Sequence, residues 1–304
     1  MDNNKIMIVG TGNVGASIAF ALVNQRTAVN EIVLTDIIAK DAEGEAMDLA
    51  DALAVAPSYV KIHRGTYKDA KDCDVVVITA GAAQRPGETR MQLLKKNVNI
   101  LKGMIEQIMA SGFNGIFLVV TNPMDILTYY TWKFSGLPYE RVIGSGTVLD
   151  SARLRQRVAS FLNVNPKSVH AYQVGEHGDS EFSVWSLADV GGQRVTEMLP
   201  AETLKGISEF VSGEAYQIIE KKGATYYGIA TCVAQILNCI LNDEMRVLPV
   251  SSYDNFSGTC FGWPSVVGRA GVLRRLDIKL SEQEGILLQK SINVLQKAIK
   301  SVRI

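Results

Sequence analysis

A chain of 304 residues, 47% of them hydrophobic, has apolar content for two cores of ordinary domain size. Lysine plus arginine equals aspartate plus glutamate at 31 each, so no cationic surplus points to nucleic acid or an anionic membrane as partner. The longest apolar runs, such as 116–120, fall far short of the roughly 18 residues of a membrane helix. The opening Met1-Asp2-Asn3-Asn4-Lys5 runs straight into a strand pattern with no room for a secretory leader, so a cytoplasmic location is expected. Cys73, Cys232, Cys239 and Cys260 lack metal or disulfide spacing and are expected to be reduced packing residues.

The first half alternates short apolar runs with helical patterns. Residues 5–9, 31–35, 73–80 and 115–121 read as buried strands, the βαβ rhythm of a parallel sheet. Directly after the first strand comes Gly10-Thr11-Gly12-Asn13-Val14-Gly15, opening a helical pattern, and Asp36 closes the second strand 21 residues after Gly15. The glycines permit a tight turn and let a pyrophosphate approach backbone amides at a helix N-terminus, while the carboxylate can accept from a ribose diol. A 2′-phosphate beside Asp36 would be repelled, so NAD is favoured over NADP. Residues 84–90, Gln84-Arg85-Pro86-Gly87-Glu88-Thr89-Arg90, follow the third strand on the edge where ligands of doubly wound sheets bind. They suit a lid that closes Arg90 over a substrate, and equally a solvated loop. Leu94, Val98, Leu101, Ile105 and Ile108, spaced 4, 3, 4 and 3, form one apolar stripe on a covering helix.

Near residue 145 the rhythm changes. A helix from Asp150, a hairpin-like stretch over 169–195 turning at Gly191-Gly192, further helices and strands over 247–260 read as an α+β unit. The fold class is therefore α/β, a Rossmann doubly wound parallel sheet over 1–144 followed by an α+β substrate domain over 145–304 across a packed hinge. A last helix opens with the capping box Ser281-x-x-Glu284 and carries Leu288, Ile292, Leu295, Ile299 and Val302 on one face.

Only three histidines occur. His177 lies in Gly175-Glu176-His177-Gly178-Asp179-Ser180, a polar loop interrupting strand-like sequence, and its ordinary pKa suits acid/base work. Asp150 and Arg153, three apart on one helix face, can share a cleft with it, Asp150 orienting the imidazole and Arg153 offering a planar fork to a carboxylate. A surface ion pair and an idle loop histidine are the bland alternatives. Arg155 lies about 200° around the helix from Arg153 and faces elsewhere, and His63 reads as a solvated strand position.

Taken together these segments resemble the L-lactate dehydrogenases, within the wider group of lactate and malate dehydrogenases. The likeness runs nearly end to end, through Gly10-x-Gly12-x-x-Gly15, Thr79-Ala80-Gly81-Ala82, 84–90, Thr121-Asn122-Pro123, Gly144-Ser145-Gly146-Thr147 with Asp150-x-x-Arg153, Gly175 to Asp179, and Gly223-Ala224-Thr225. It implies a glycolytic, fermentative oxidoreductase interconverting pyruvate and L-lactate with NAD. In that reading His177 is proton donor and acceptor, Asp150 its partner, Arg153 the carboxylate clamp and Arg90 the lid residue polarising the keto group. Asn122 would touch cofactor and substrate, Thr225 the substituent of the reacting carbon, and Val14, Tyr67, Gly81, Ala82, Val120 and Ser145 the NAD groove. The malate branch carries arginine where Gln84 stands, and a second substrate carboxylate beside a neutral amide would lack a charge partner. Gln84 thus argues for a small neutral substituent. In resembling bacterial enzymes the positions of Arg155 and His170 bind fructose 1,6-bisphosphate across subunits, implying an activated homotetramer. Asp51, where the family commonly has histidine, and Arg26-Thr27, in place of a helix-ending glycine, depart from the pattern outside the reaction chemistry. A dehydrogenase for malate or a branched 2-hydroxy acid, and a catalytically silent NAD-binding scaffold, remain alternatives.

Overall fold

The computed structural model describes residues 4–82 and 89–302. Its first half runs β1 (Lys5–Val9), α1 (Asn13–Val23), β2 (Glu31–Thr35), α2 (Ala39–Ala52), β3 (Lys61–Arg64), β4 (Val75–Ile78), α3 (Arg90–Ala110), β5 (Ile116–Val119), α4 (Met124–Ser135) and β6 (Val142–Gly144). Then follow α5 (Val148–Leu162), β7 (Val169–His170), β8 (Gln173–Val174), β9 (Phe182–Ser183), β10 (Asp189–Val190) and β11 (Gln193–Arg194). The chain ends with α6 (Val195–Met198), α7 (Ala201–Lys222), α8 (Tyr227–Leu241), β12 (Arg246–Asp254), β13 (Thr259–Gly268), β14 (Gly271–Arg275) and α9 (Glu282–Ser301).

Strands β1, β4 and β5 are apolar on both faces because helices cover both, and their residues are almost wholly buried. The six parallel strands lie in the order β3-β2-β1-β4-β5-β6. The order reverses between β1 and β4, which opens a crevice beyond their carboxyl ends. The stripe on α3 faces inward as expected, with Leu94, Val98, Leu101, Ile105 and Ile108 all buried. All four cysteines are free and buried.

Residues 246–275 do not form a separate sheet. β12, β13 and β14 run antiparallel and join the parallel sheet at β6, where Ser251 pairs with Gly144, so one nine-stranded sheet spans both halves. Gly144 is there for want of room: a Cβ would stand 2.3 Å from the Met124 sulfur and 2.9 Å from Ser251 Cβ. The hairpin at Gly191-Gly192 forms with both glycines at positive φ, joining β10 to β11. The final helix begins as expected: Ser281 Oγ accepts from Glu284 N at 3.3 Å, and Glu284 Oε2 accepts from Ser281 N at 2.8 Å. His63 is less solvated than its sequence suggests, because its Nε2 sits 3.0 Å from Glu31 Oε1 on the neighbouring strand. Among the described residues no helix is long and apolar enough to cross a membrane.

Candidate active site

The crevice at the β1/β4 reversal holds a cavity of about 880 Å³ walled by Gly10, Gly12, Asp36, Tyr67, Gly81 and Ala82 among others. Three glycines do three different jobs there. Gly10 has φ +98° and its Cβ would meet Ala80 N at 2.6 Å, so the turn requires glycine. A Cβ on Gly15 would stand 1.9 Å from Gly10 O, which is how α1 packs against the loop. Around Gly12 nothing lies within 4 Å, leaving an open approach to the first turn of α1, where amides converge on an incoming anion. Asp36 braces the loop, its Oδ2 accepting from Thr11 N at 2.8 Å and from Thr11 Oγ1 at 3.3 Å. Tyr67 faces it, and burial together with the Asp36 charge raises the phenol above its usual range. These features fit a dinucleotide: an open glycine turn for the pyrophosphate and an acid for a ribose. Of the other expected groove residues, Val14 and Val120 pack against the core, Ser145 is buried beneath with its N–H on Val119 O at 2.8 Å, and Gly15 packs within the turn.

A second cavity of about 390 Å³ is walled by Asn122, Asp150, Arg153, His177 and Glu181, with Val211 and Tyr216 of α7 opposite. They come from three distant segments, the loop after β5, helix α5 and the loop after β8, with α7 packed against α5 as the facing wall. His177 Nδ1 lies 2.7 Å from Asp150 Oδ2, and Arg153 Nη1 donates to Asp150 Oδ1 at 3.0 Å. Arg153 also lies 3.8 Å from Glu214 on α7. Burial pushes the Asp150 carboxyl up, but the neighbouring His177 and Arg153 charges more than offset this and hold it below the usual carboxylate range. The Asp150 charge raises His177 to about 10 against the opposing effect of burial. The imidazole is 26% exposed and opens to the cavity, so it can exchange a proton there.

Asn122 lines the cavity, and the Asn122-Pro123 bond is cis. Thr225 lies half-buried in the loop between α7 and α8 and forms none of this wall. Gln84 and the side chain of Arg90 lie outside the described residues, while the backbone of Arg90 opens α3. Arg155 is half-buried on α5 with its Nε lacking a hydrogen-bond partner, and His170 is exposed on β7, which packs against α5.

Two residues of this site carry no motif. Asp125, in the first turn of α4, is 2% exposed and accepts from the backbone N of His177 at 2.7 Å and from Ser251 Oγ at 2.6 Å. Burial raises its carboxyl to about 7 even with those donors. An acid inside an apolar helix pattern directly after Asn122-Pro123-Met124 was the available signal. Glu181, four residues beyond His177, accepts from Gln173 Nε2 at 3.1 Å and has a carboxyl oxygen within 4.8 Å of one of Asp150. Nothing local marks it.

Residues 4–144 match the lactate/malate dehydrogenase NAD binding domain, and residues 147–303 match the lactate/malate dehydrogenase alpha/beta C-terminal domain. The chain is 50% identical over 306 residues to L-lactate dehydrogenase 1 of Peribacillus psychrosaccharolyticus, covering 97% of this chain and 96% of that protein. Among solved structures, the minor L-lactate dehydrogenase of Enterococcus mundtii in its ligands-bound form superposes with a TM-score of 0.97 at 44% identity over 100% of both chains. A lactate dehydrogenase from a Medee basin deep-sea metagenome library gives 0.97 at 46% identity over 99% of each.

Proposed function

We propose, from the premise that this chain belongs to the lactate/malate dehydrogenase family, that it is an NAD-dependent L-lactate dehydrogenase. The observation that carries the reading is the His177–Asp150–Arg153 cluster on one wall of a cavity small enough for a three-carbon acid. NADH, when bound, supplies the hydride. Gly10 and Gly12 would hold its pyrophosphate and Asp36 a ribose.

The rest is the work of the chain. His177 directs Nδ1 to Asp150, which leaves Nε2 as the proton carrier for the substrate oxygen. Asp150 keeps the imidazole in that orientation and stabilises its charged form. Arg153 spends one N–H on Asp150 and has others for the substrate carboxylate. Arg90 supplies the cation over the keto oxygen, Asn122 a donor beside it, and Thr225 borders the methyl group. Gln84 leaves no partner for a second carboxylate and selects pyruvate over oxaloacetate.

Arg155 and His170 form half of a fructose 1,6-bisphosphate site completed by a second subunit in a homotetramer of cytoplasmic enzyme, the division at residue 145 separating cofactor from substrate machinery. Exposed apolar side chains on α1, α2 and α8, among them Phe20, Met47 and Tyr227, support assembly. The test is NADH oxidation with pyruvate, oxaloacetate and 2-ketoisocaproate, each with and without fructose 1,6-bisphosphate. Pyruvate is expected to turn over fastest; faster oxaloacetate reduction, or none with pyruvate, overturns the assignment.

A further inference from the structure

Glu181 stands on the segment leading into β9 and lines the 390 Å³ cavity, but none of the roles above requires it. A carboxyl oxygen of Glu181, one of Asp150 and a ring nitrogen of His177 all lie within 4.8 Å of one another. Behind it, Gln173 is fully buried, and its side chain is already oriented: Gln173 Oε1 accepts from Ser183 Oγ at 2.8 Å, while its backbone N–H is held by Ser151 Oγ at 2.8 Å. Gln173 can therefore offer Glu181 only an N–H. Towards the site Glu181 meets a carboxylate, one oxygen of each lying within 4.8 Å of the other, and two enclosed carboxylates this close disfavour ionisation of both. The charge belongs on Asp150, which touches both His177 Nδ1 and Arg153 Nη1, whereas Glu181 has a neutral amide.

We propose that Glu181 is a proton-holding positioning residue: it stays a neutral carboxylic acid while the enzyme works, and its O–H donates to the Asp150 carboxylate. Burial and the Asp150 charge favour the neutral form of Glu181. The groups that face it are Asp150 on α5, His177 on its own loop and Gln173 on β8, with Arg153 on the far side of Asp150. Glu214 of α7 lies beyond Arg153, and Asp125 of α4 behind the His177 backbone. His177 and Arg153 already face the acids Asp150 and Glu214 before a substrate carboxylate arrives. An ionised Glu181 would leave a surplus negative charge and repel a monocarboxylate. The inference rests on the reading of His177 and Asp150 given above.

Glu181→Gln and Glu181→Leu separate the possibilities, since Gln is neutral at every pH and keeps an N–H for Asp150 and an oxygen for Gln173, while Leu keeps neither. With three histidines in the chain, the His177 titration is resolvable by NMR on histidine-labelled protein. The expected results are a protonated-carboxyl carbonyl stretch at pH 7 that disappears in Glu181→Gln, and a His177 midpoint in that variant close to wild type. Glu181→Leu should move the midpoint upward, because Asp150 loses a competing donor, and lower kcat/KM for pyruvate about tenfold, as for loss of one hydrogen bond to a charge. Gln should recover most of that loss. At alkaline pH, KM for pyruvate should climb more steeply in wild type than in Glu181→Gln. A fall of the His177 midpoint by about one unit in Glu181→Gln would mean that a charge had been removed, and would overturn the proposal. So would absence of the carbonyl band, or a Leu variant that titrates and turns over like wild type. Failure of the underlying reading shows differently: His177→Asn would then retain turnover, while the infrared band, which does not depend on catalysis, still reports Glu181.

Discussion

The imidazole of His177 owes its basicity to Asp150, 2.7 Å away, and this sets the direction of the pH response. Reduction needs the imidazolium, and a pKa raised to about 10 keeps that form populated through neutrality in the free enzyme. Initial-rate measurements should therefore give a kcat/KM for pyruvate that is flat near pH 7 and falls as pH approaches that value, while kcat/KM for lactate, which needs the neutral ring, rises over the same interval. Replacing His177 with Asn should lower kcat by about 10² to 10⁴, the usual worth of a positioned proton donor. Substrate choice belongs to this scale too: Gln84→Arg should raise oxaloacetate turnover relative to pyruvate, and a ratio that does not move would count against Gln84 as the selecting residue. His177, Asp150 and Arg153 were legible because they sit in short patterns whose spacing implies geometry. Asp125 and Glu181 were not, because a buried acid is informative only once its neighbours are known.

Between strand and helix, Gly12 and Gly15 look alike in the sequence but differ in their surroundings. Gly15→Ala should lower thermal stability, since its Cβ would stand 1.9 Å from Gly10 O with no room to shift. Gly12→Ala has open space and an ordinary φ of −71°, so its melting temperature should hold while NADH affinity, read by fluorescence titration, weakens as the methyl crowds the phosphate approach. Helix α3 begins with a capping box that the lid pattern concealed: Thr89 Oγ1 accepts from Gln92 N at 3.2 Å, and Gln92 Oε1 from Thr89 N at 2.9 Å. This pins the backbone of Arg90 at the helix start. Thr89→Ala should cost about 1 kcal/mol in chemical denaturation.

Across the whole molecule the two halves are joined by hydrogen bonds at the site itself. Ser251, on a strand from the second half, pairs with Gly144 at the end of β6 and donates to Asp125, which in turn accepts from His177. Ser251→Ala leaves a buried carboxyl short of a donor and should destabilise the fold by about 1–3 kcal/mol. At the same scale, fructose 1,6-bisphosphate should shift sedimentation toward the tetramer and lower KM for pyruvate, both effects being lost in Arg155→Gln and in His170→Gln. What repeats or sits close along the chain was legible before any coordinates: the βαβ rhythm, the glycine turn with Asp36 in register, the stripe on α3, the capped last helix and the pairing of Asp150 with Arg153. Those features depend on backbone periods and steric demands that act over a few residues. Packing of distant segments set β12 beside β6, Asp125 under the His177 loop and Glu181 beside Asp150. The contacts that place Asp125 span 52 and 126 residues, for His177–Asp125 and Ser251–Asp125, and their register follows from packing of whole elements, which no local pattern specifies.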